Sequence, residues 1–162
     1  MKSAGLAITV WFMLLFVFDG DSHVLAADWS KVTVSDGTNR HVFTVELAVT
    51  MQQQQRGMMY RQNLAPNAGM LFVYKNADDR SYWMRNVVIP LDIIFIGPDG
   101  KVINIVARAE PQTDTPRLSE APAIAVLEIY GGRAEELGIT AGYQVDHPAI
   151  RLAIGRAADA AR

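Results

Sequence analysis

The sequence predicts an α+β fold that is mainly antiparallel β: a compact, barrel-like curled sheet of about seven short strands with one or two short helices. Three observations lead there. His41 to Val49 alternates, with Phe43, Val45, Leu47 and Val49 on one side and Val42, Thr44, Glu46 and Ala48 on the other. That is the period of a strand with one face in a core. Asp92 to Ile96 and Ala123 to Tyr130 are nearly unbroken apolar runs, as expected of strands buried on both faces. Most connections are short, and Gly, Pro, Asn and Asp mark the turns.

The elements follow in order. Lys31 to Val34 is a short strand, and Ser35 to Asn39 is a turn cluster joining it to His41–Val49 as a hairpin. Thr50 is a helix N-cap, and Gln53 completes a capping box for a helix from Met51 to about Arg61. A loop around Pro66 leads to a strand, Met70 to Tyr74, and then to a charged turn, Lys75 to Arg80. Tyr82 to Val88 is the next expected strand, ended by Pro90. Pro98-Asp99-Gly100 supplies a type I turn with glycine in the left-handed position, so Asp92–Ile96 and Lys101–Ala107 form a bulged hairpin.

Arg108 to Pro122 holds three prolines and no apolar period, which predicts a long loop. After Ala123–Tyr130, Gly131-Gly132 breaks the chain before a short helix, Arg133 to Leu137, and a last strand, Tyr143 to Asp146. The Ala/Arg-rich residues 148–162 show no clear partner face and are expected to be a frayed helix or disordered.

The chain has 162 residues, half of them hydrophobic and a fifth charged, enough for one domain with a real core. Lys2, the apolar run Ala4 to Phe18 and the small residues ending Val24-Leu25-Ala26-Ala27 describe a secretory signal peptide, cleaved after Ala26 or Ala27. The rival reading, an uncleaved anchor, needs an apolar run of ~20 residues, longer than this one. The division is therefore a signal peptide at 1–26, one domain at 27–147 and a tail at 148–162.

Removing 1–26 takes away Lys2, Asp19 and Asp21, so 15 basic and 17 acidic residues become 14 and 15, and the net charge moves from −2 to −1. Such a chain has no electrostatic footprint for nucleic acid or anionic lipid. Cysteine is absent, which excludes a lipoprotein, thiol chemistry and cysteine-based metal sites. Compartment and composition together point to a bacterial periplasm.

The richest mixture of bulky and polar residues lies between Gly69 and Gly100. As a strand, Tyr82–Val88 would set Trp83 and Arg85 on one face and Tyr82, Met84 and Asn86 on the other. Asp92 stands at the mouth of a buried strand, where it could pair with Arg56, Arg61 or Arg85 or accept backbone N–H bonds at the turn. The candidate ligand-binding set is Arg56, Trp83, Met84, Arg85, Asn86, Asp92 and Glu110, with Trp83 as an apolar wall. The plainer reading of Asp92 is a polar staple for a tight loop. Glu128, between Leu127 and Ile129, is a buried carboxylate in need of a basic partner.

The segments Arg56-Gly57-Met58-Met59-Tyr60-Arg61, Gly69-Met70-Leu71-Phe72-Val73, Trp83-Met84-Arg85-Asn86 and Ile89 to Ile96 resemble the DUF192 family, also called UPF0127. The likeness continues through Ala109-Glu110-Pro111, Pro122, Val126-Leu127-Glu128, Gly131-Gly132-Arg133-Ala134 and Gly138-Ile139, and spans roughly residues 42–146. It implies a compact β-rich domain, often exported in bacteria, with no established activity and no accepted catalytic residues to carry over. The chain departs from the pattern at Val87, where many members have a threonine hydroxyl.

Three functional readings follow. The first is a non-enzymatic periplasmic binding or accessory domain, holding a small-molecule ligand near Trp83, Asn86 and Asp92 with the Arg108–Pro122 loop as a cover, or serving an envelope protein. The second is a metal-independent hydrolase or lyase on a small envelope metabolite or glycan fragment. It requires Asp92 to converge with Glu110 or Glu128 in one cleft. The third is a protein-interaction domain with an exposed apolar patch. No cofactor is expected. His41 and His147 lack ligand spacing, and Met58, Met59, Met70 and Met84, which in principle offer thioethers to Cu(I), fall where core residues belong. No nucleophile motif or P-loop is present.

Overall fold

The computed structural model describes residues 29–160. The expected signal peptide, 1–26, lies outside the described residues. Nine strands and three helices follow in order: β1 (Trp29–Ser35), β2 (Arg40–Ala48), α1 (Met51–Arg56), β3 (Ala68–Asp78), β4 (Ser81–Tyr82), β5 (Leu91–Ile96), β6 (Val102–Ala109), β7 (Arg117–Leu118), β8 (Ala123–Tyr130), α2 (Arg133–Glu136), β9 (Gln144–Asp146) and α3 (Pro148–Ala160). Seven strands form one curled, half-barrel sheet in the order β6-β5-β8-β3-β2-β1-β9, and β4 pairs with β7 apart from it. Every pairing is antiparallel except β2 with β3, which run parallel. A parallel pair needs a crossover, and α1 with the loop after it supplies one.

Period-two alternation divides the core between the two faces of this sheet. One face carries Val32, Val34, Phe43, Val45, Leu71, Ile94, Ile96, Leu127 and Ile129, and it packs against Ile150 and Ala153 of α3. The other carries Phe72, Leu91, Ile93, Phe95 and Val126, covered by Met58, Met84, Val87 and Ile89 from irregular segments. The second cover is built from loops, and the candidate site lies there.

Several local readings hold. Thr50 caps α1 in a full capping box: Gln53 N–H donates to Thr50 Oγ1 at 3.2 Å, and Thr50 N–H donates to Gln53 Oε1 at 3.0 Å. The β5–β6 connection is the expected bulged turn. Gly100 has φ +77°, its N–H donates to Gly97 O at 2.9 Å, and Gly97 N–H donates to Lys101 O at 2.8 Å.

Four readings are corrected. The helix from Met51 ends at Arg56, because Gly57 takes φ +46°, where an added Cβ would lie a tight 3.3 Å from the Phe72 ring. The strand beginning near Met70 runs on to Asp78, through most of the expected charged turn. Of Tyr82–Val88 only Tyr82 is in a strand. From Trp83 on, the chain turns, with Val87 N–H donating to Met84 O at 3.1 Å and Asn86 at φ +60°.

The tail, finally, is neither frayed nor disordered across Pro148–Ala160; it is the helix α3, with Ile150 and Ala153 buried. Pro148 occupies its first turn, where proline is tolerated. His147 Nδ1 accepts from Ala149 N–H at 3.1 Å while its Nε2 meets Ser30 Oγ at 2.9 Å. Among the described residues no helix is long and apolar enough to cross a membrane.

Candidate functional site

The register places the polar residues of this sheet face in one row. Glu46 on β2 opposes Met70 on β3, Met70 opposes Glu128 on β8, and Glu128 opposes Ile93 on β5. At one end of the row Glu46 is held by Arg61 in a two-pronged pair, at 2.5 and 2.7 Å. Glu128 has no such partner. It is 5% exposed, and its Oε2 is buried without a hydrogen bond. Burial pushes its carboxyl up to about 8, with the Arg61 charge pulling only partly against that.

Glu128 contributes to the wall of a cavity of about 360 Å³, within the range of small-molecule sites. Phe72, Tyr74 and Tyr82 also line it, as do residues 54–59 of α1 and its turn, with Ser81, Trp83 and Val87 on another side. The two phenol oxygens are 2.6 Å apart. Tyr82 stands edge-on to Phe72 at 5.3 Å and to Phe95 at 5.9 Å, which locks its ring. Burial raises both phenols, Tyr82 well above the ordinary tyrosine value and Tyr74 less, and Glu128 contributes to each. Near neutral pH the three groups are therefore protonated, giving an uncharged floor that still carries hydrogen-bonding capacity.

The frame around the cavity is fixed by backbone bonds. Gln54 Nε2 donates to Ala48 O at 3.2 Å and to Val73 O at 3.0 Å, tying α1 to the sheet. Tyr60 N–H donates to Asn86 O at 2.8 Å, joining the turn after α1 to the 83–88 turn. Both residues sit at positive φ, +65° and +60°, a conformation unusual outside glycine and found often at functional sites. Arg80 lays its guanidinium 3.7 Å from the centroid of the Tyr74 ring.

The expected site residues divide accordingly. Arg56 and Trp83 line the cavity, and Trp83 is exposed. Met84 is fully buried among the core residues of the same sheet face. Arg85 points to solvent, paired with Asp114 at 2.8 Å and 5.0 Å from the Trp83 ring centroid. Asn86 does not line the cavity; its amide lies 3.9 Å from Sδ of Met59, which does. Glu110 is exposed and contributes its carbonyl, which accepts from Thr113 Oγ1 at 2.8 Å.

Asp92 lies elsewhere. It opposes Ile129 on β8, so it projects from the sheet face opposite to Glu128. Its Oδ1 accepts from Arg108 N–H at 2.8 Å and Gly132 N–H at 2.7 Å, and its Oδ2 accepts from Ala134 N–H at 2.7 Å. Those bonds make it a clamp between β6 and the start of α2. Neither Asp92 nor Glu110 lines the cavity, so no pair of carboxylates converges there.

No residue of the 108–122 loop lines the cavity. That segment instead supports the 83–88 turn, with Met84 N–H donating to Thr113 O at 2.9 Å and Gln112 N–H donating to Met84 O at 3.0 Å. Of the methionines, Met58 and Met59 line the cavity and Met70 is buried. Among the described residues no cluster of His, Asp or Glu is arranged to hold a metal ion.

Sequence reasoning missed Tyr74, Tyr82 and Gln54. For Tyr74 a signal existed: Met70, Phe72 and Tyr74 are two apart, so any strand that buries the first two on this face points the third the same way. Tyr82 carries no local signal, since its place depends on pairing with Arg117 of β7.

A family model for DUF192, described as an uncharacterised ACR, matches residues 32–147. A protein of unknown function from Novosphingobium aromaticivorans is similar, with 47% identity and a TM-score of 0.72 over 74% of this chain and 85% of the other. A second structure, from Sinorhizobium meliloti and provisionally described as a transcription regulator, has 34% identity and a TM-score of 0.72 over 75% and 95%. No curated protein matches the sequence.

Proposed function

The chain belongs to the DUF192 family, and from that premise we propose that it is a small-molecule-binding domain, non-enzymatic, with its ligand seated on Glu128, Tyr74 and Tyr82. One observation carries the reading: a buried carboxyl oxygen without a partner stands beside an aromatic-walled cavity open to solvent. Buried polar groups are nearly always paired, and each exception calls for an explanation. Here a ligand atom supplies it. Trp83 on the rim gives the ligand an apolar wall, and the Gln54, Tyr60 and Asn86 bonds preorganise the opening.

The carboxylate-pair enzyme loses its support, because Asp92 and Glu128 leave opposite faces of the sheet. A role in transcription, suggested by the Sinorhizobium description, finds no support in a net charge of −2. We further propose that the domain acts after export, on the strength of Lys2, the Ala4–Phe18 apolar run and the small residues at Ala26 and Ala27.

Native mass spectrometry of the full chain expressed in a bacterium and gently recovered from its periplasm tests both parts. The expected spectrum shows a chain lacking residues 1–26 or 1–27 that carries a defined small adduct, and Trp83→Ala loses the adduct. Full-length protein retained with the membrane contradicts cleavage. A processed chain whose adduct is untouched by Trp83→Ala contradicts the site.

A further inference from the structure

Resting on that reading, we propose that the ligand class is a small organic ammonium ion, its N–H groups received by the Glu128 carboxylate and the phenol oxygens of Tyr74 and Tyr82. Glu128 lacks a cation of its own among the basic residues around it. Arg61, the basic residue that acts on Glu128, is committed to both oxygens of Glu46. Arg80 is committed to the Tyr74 ring and to the carbonyls of Asn76 and Ala123, at 2.5 and 3.2 Å. Arg56 lines the cavity but is exposed on α1, where solvent screens its charge far more than it screens the desolvated carboxyl. The protein thus provides a buried acid without providing its base.

The surroundings suit a cation. Phe72, Tyr74, Tyr82 and Trp83 line the cavity, and aromatic rings attract ammonium groups through their negative faces. The two phenols share a single hydrogen bond between them, so lone pairs remain on oxygens of residues that line the same cavity as Glu128. An ammonium group has N–H donors and no acceptor, and the floor is rich in acceptors. A carboxylate ligand meets the opposite difficulty, since it approaches a group that itself becomes negative as pH rises.

Binding must then displace the Glu128 proton. The charged or titratable groups facing Glu128 are Tyr74 on β3, Tyr82 on β4, Arg61 with Glu46 of β2, and Arg56 of α1 across the cavity. On β5 the opposing residue is the apolar Ile93. Burial pushes the Glu128 carboxyl up to about 8.

Isothermal titration calorimetry of the intact domain with n-butylammonium, 1-butanol and butyrate, at matched ionic strength, tests the proposal. Butylammonium is expected to bind saturably at pH 8.5 and to weaken by about tenfold per pH unit from 8 down to 6. Two buffers of different ionisation enthalpy should report proton release at the lower pH. Glu128→Gln should weaken binding at least about tenfold while the circular dichroism spectrum stays unchanged. Should that variant fail to fold, Tyr82→Phe, which removes one acceptor, is expected to weaken butylammonium and leave butanol unaffected. Butanol or butyrate binding as tightly as butylammonium, with loss on Trp83→Ala, overturns the ammonium class and leaves the binding site standing. Butylammonium binding that is absent or independent of pH also overturns the class. The native-mass adduct and its loss on Trp83→Ala then decide whether the site reading falls with it.

Discussion

Asp92→Ala is expected to lower the stability of the domain by about 4 kcal/mol, near the upper end for a point substitution. The side chain is fully buried and accepts three backbone N–H bonds, from Arg108, Gly132 and Ala134. Each donor left unpaired in the interior costs about 1–3 kcal/mol. Gly132 and Ala134 begin α2, a helix of 4 residues without another side-chain cap. Arg108 takes φ +48° at the end of β6, a backbone conformation the Asp92 bond helps hold. Asp92→Asn keeps the shape but puts an amide N–H₂ where an acceptor is needed, so it should lose a large part of the same stability. Urea denaturation at neutral pH measures both. A loss below about 1 kcal/mol in the alanine variant contradicts the clamp. Retained ligand binding in any fraction that folds is also expected, since Asp92 is across the sheet from the cavity.

Glu128 gives the second large effect, read as a pH dependence. Its folded-state carboxyl lies near 8, above the ordinary glutamate value of 4.5, because burial disfavours the charged form. The folded chain therefore holds a proton that the unfolded chain releases over that interval. The contribution is fully present below about pH 4.5 and is lost as pH rises through 8. Stability of the ligand-free protein should fall between pH 5 and 8 by up to about 1.4 kcal/mol per unit from this group. Glu128→Gln, neutral at every pH, removes that slope. The difference between the two denaturation midpoints across pH isolates the Glu128 share from every other titration. Parallel curves for wild type and variant contradict a desolvated Glu128.

Much of the fold is legible in the residues because it is local. Thr50 and Gln53 bond each other across one helical turn, and Gly97 to Gly100 close within one β-turn. The alternation in β2 needs only its own side chains to declare a face. What is hidden depends on distant partners. Trp83 to Val88 has the composition of a strand, yet its backbone bonds run within the turn and to Tyr60, Gln112 and Thr113, which no propensity foresees. The parallel β2–β3 pairing is set by the path of the crossover, not by either strand. The tail has Ile150, Ala153 and Ile154 at helical spacing, a stripe too narrow to announce itself until β3 and β8 are there to receive it.

The candidate site shows the same division. Arg56 and Trp83 are recognisable by residue type, and Glu128 is visible as a charge inside an apolar run. Asp92 stands out in the sequence for the same reason, yet it serves the opposite face. Which face a carboxylate takes depends on register, and register between β5 and β8 is a non-local fact.

The most direct test of a ligand site over Glu128 is amide chemical-shift mapping on the ¹⁵N-labelled domain, titrated with a fragment set of cationic, neutral and anionic members. Saturable shifts are expected to gather at residues 54–59, 81–87 and Glu128. Shifts confined to the α3 side of the sheet, or none that saturate with any fragment, would contradict the site.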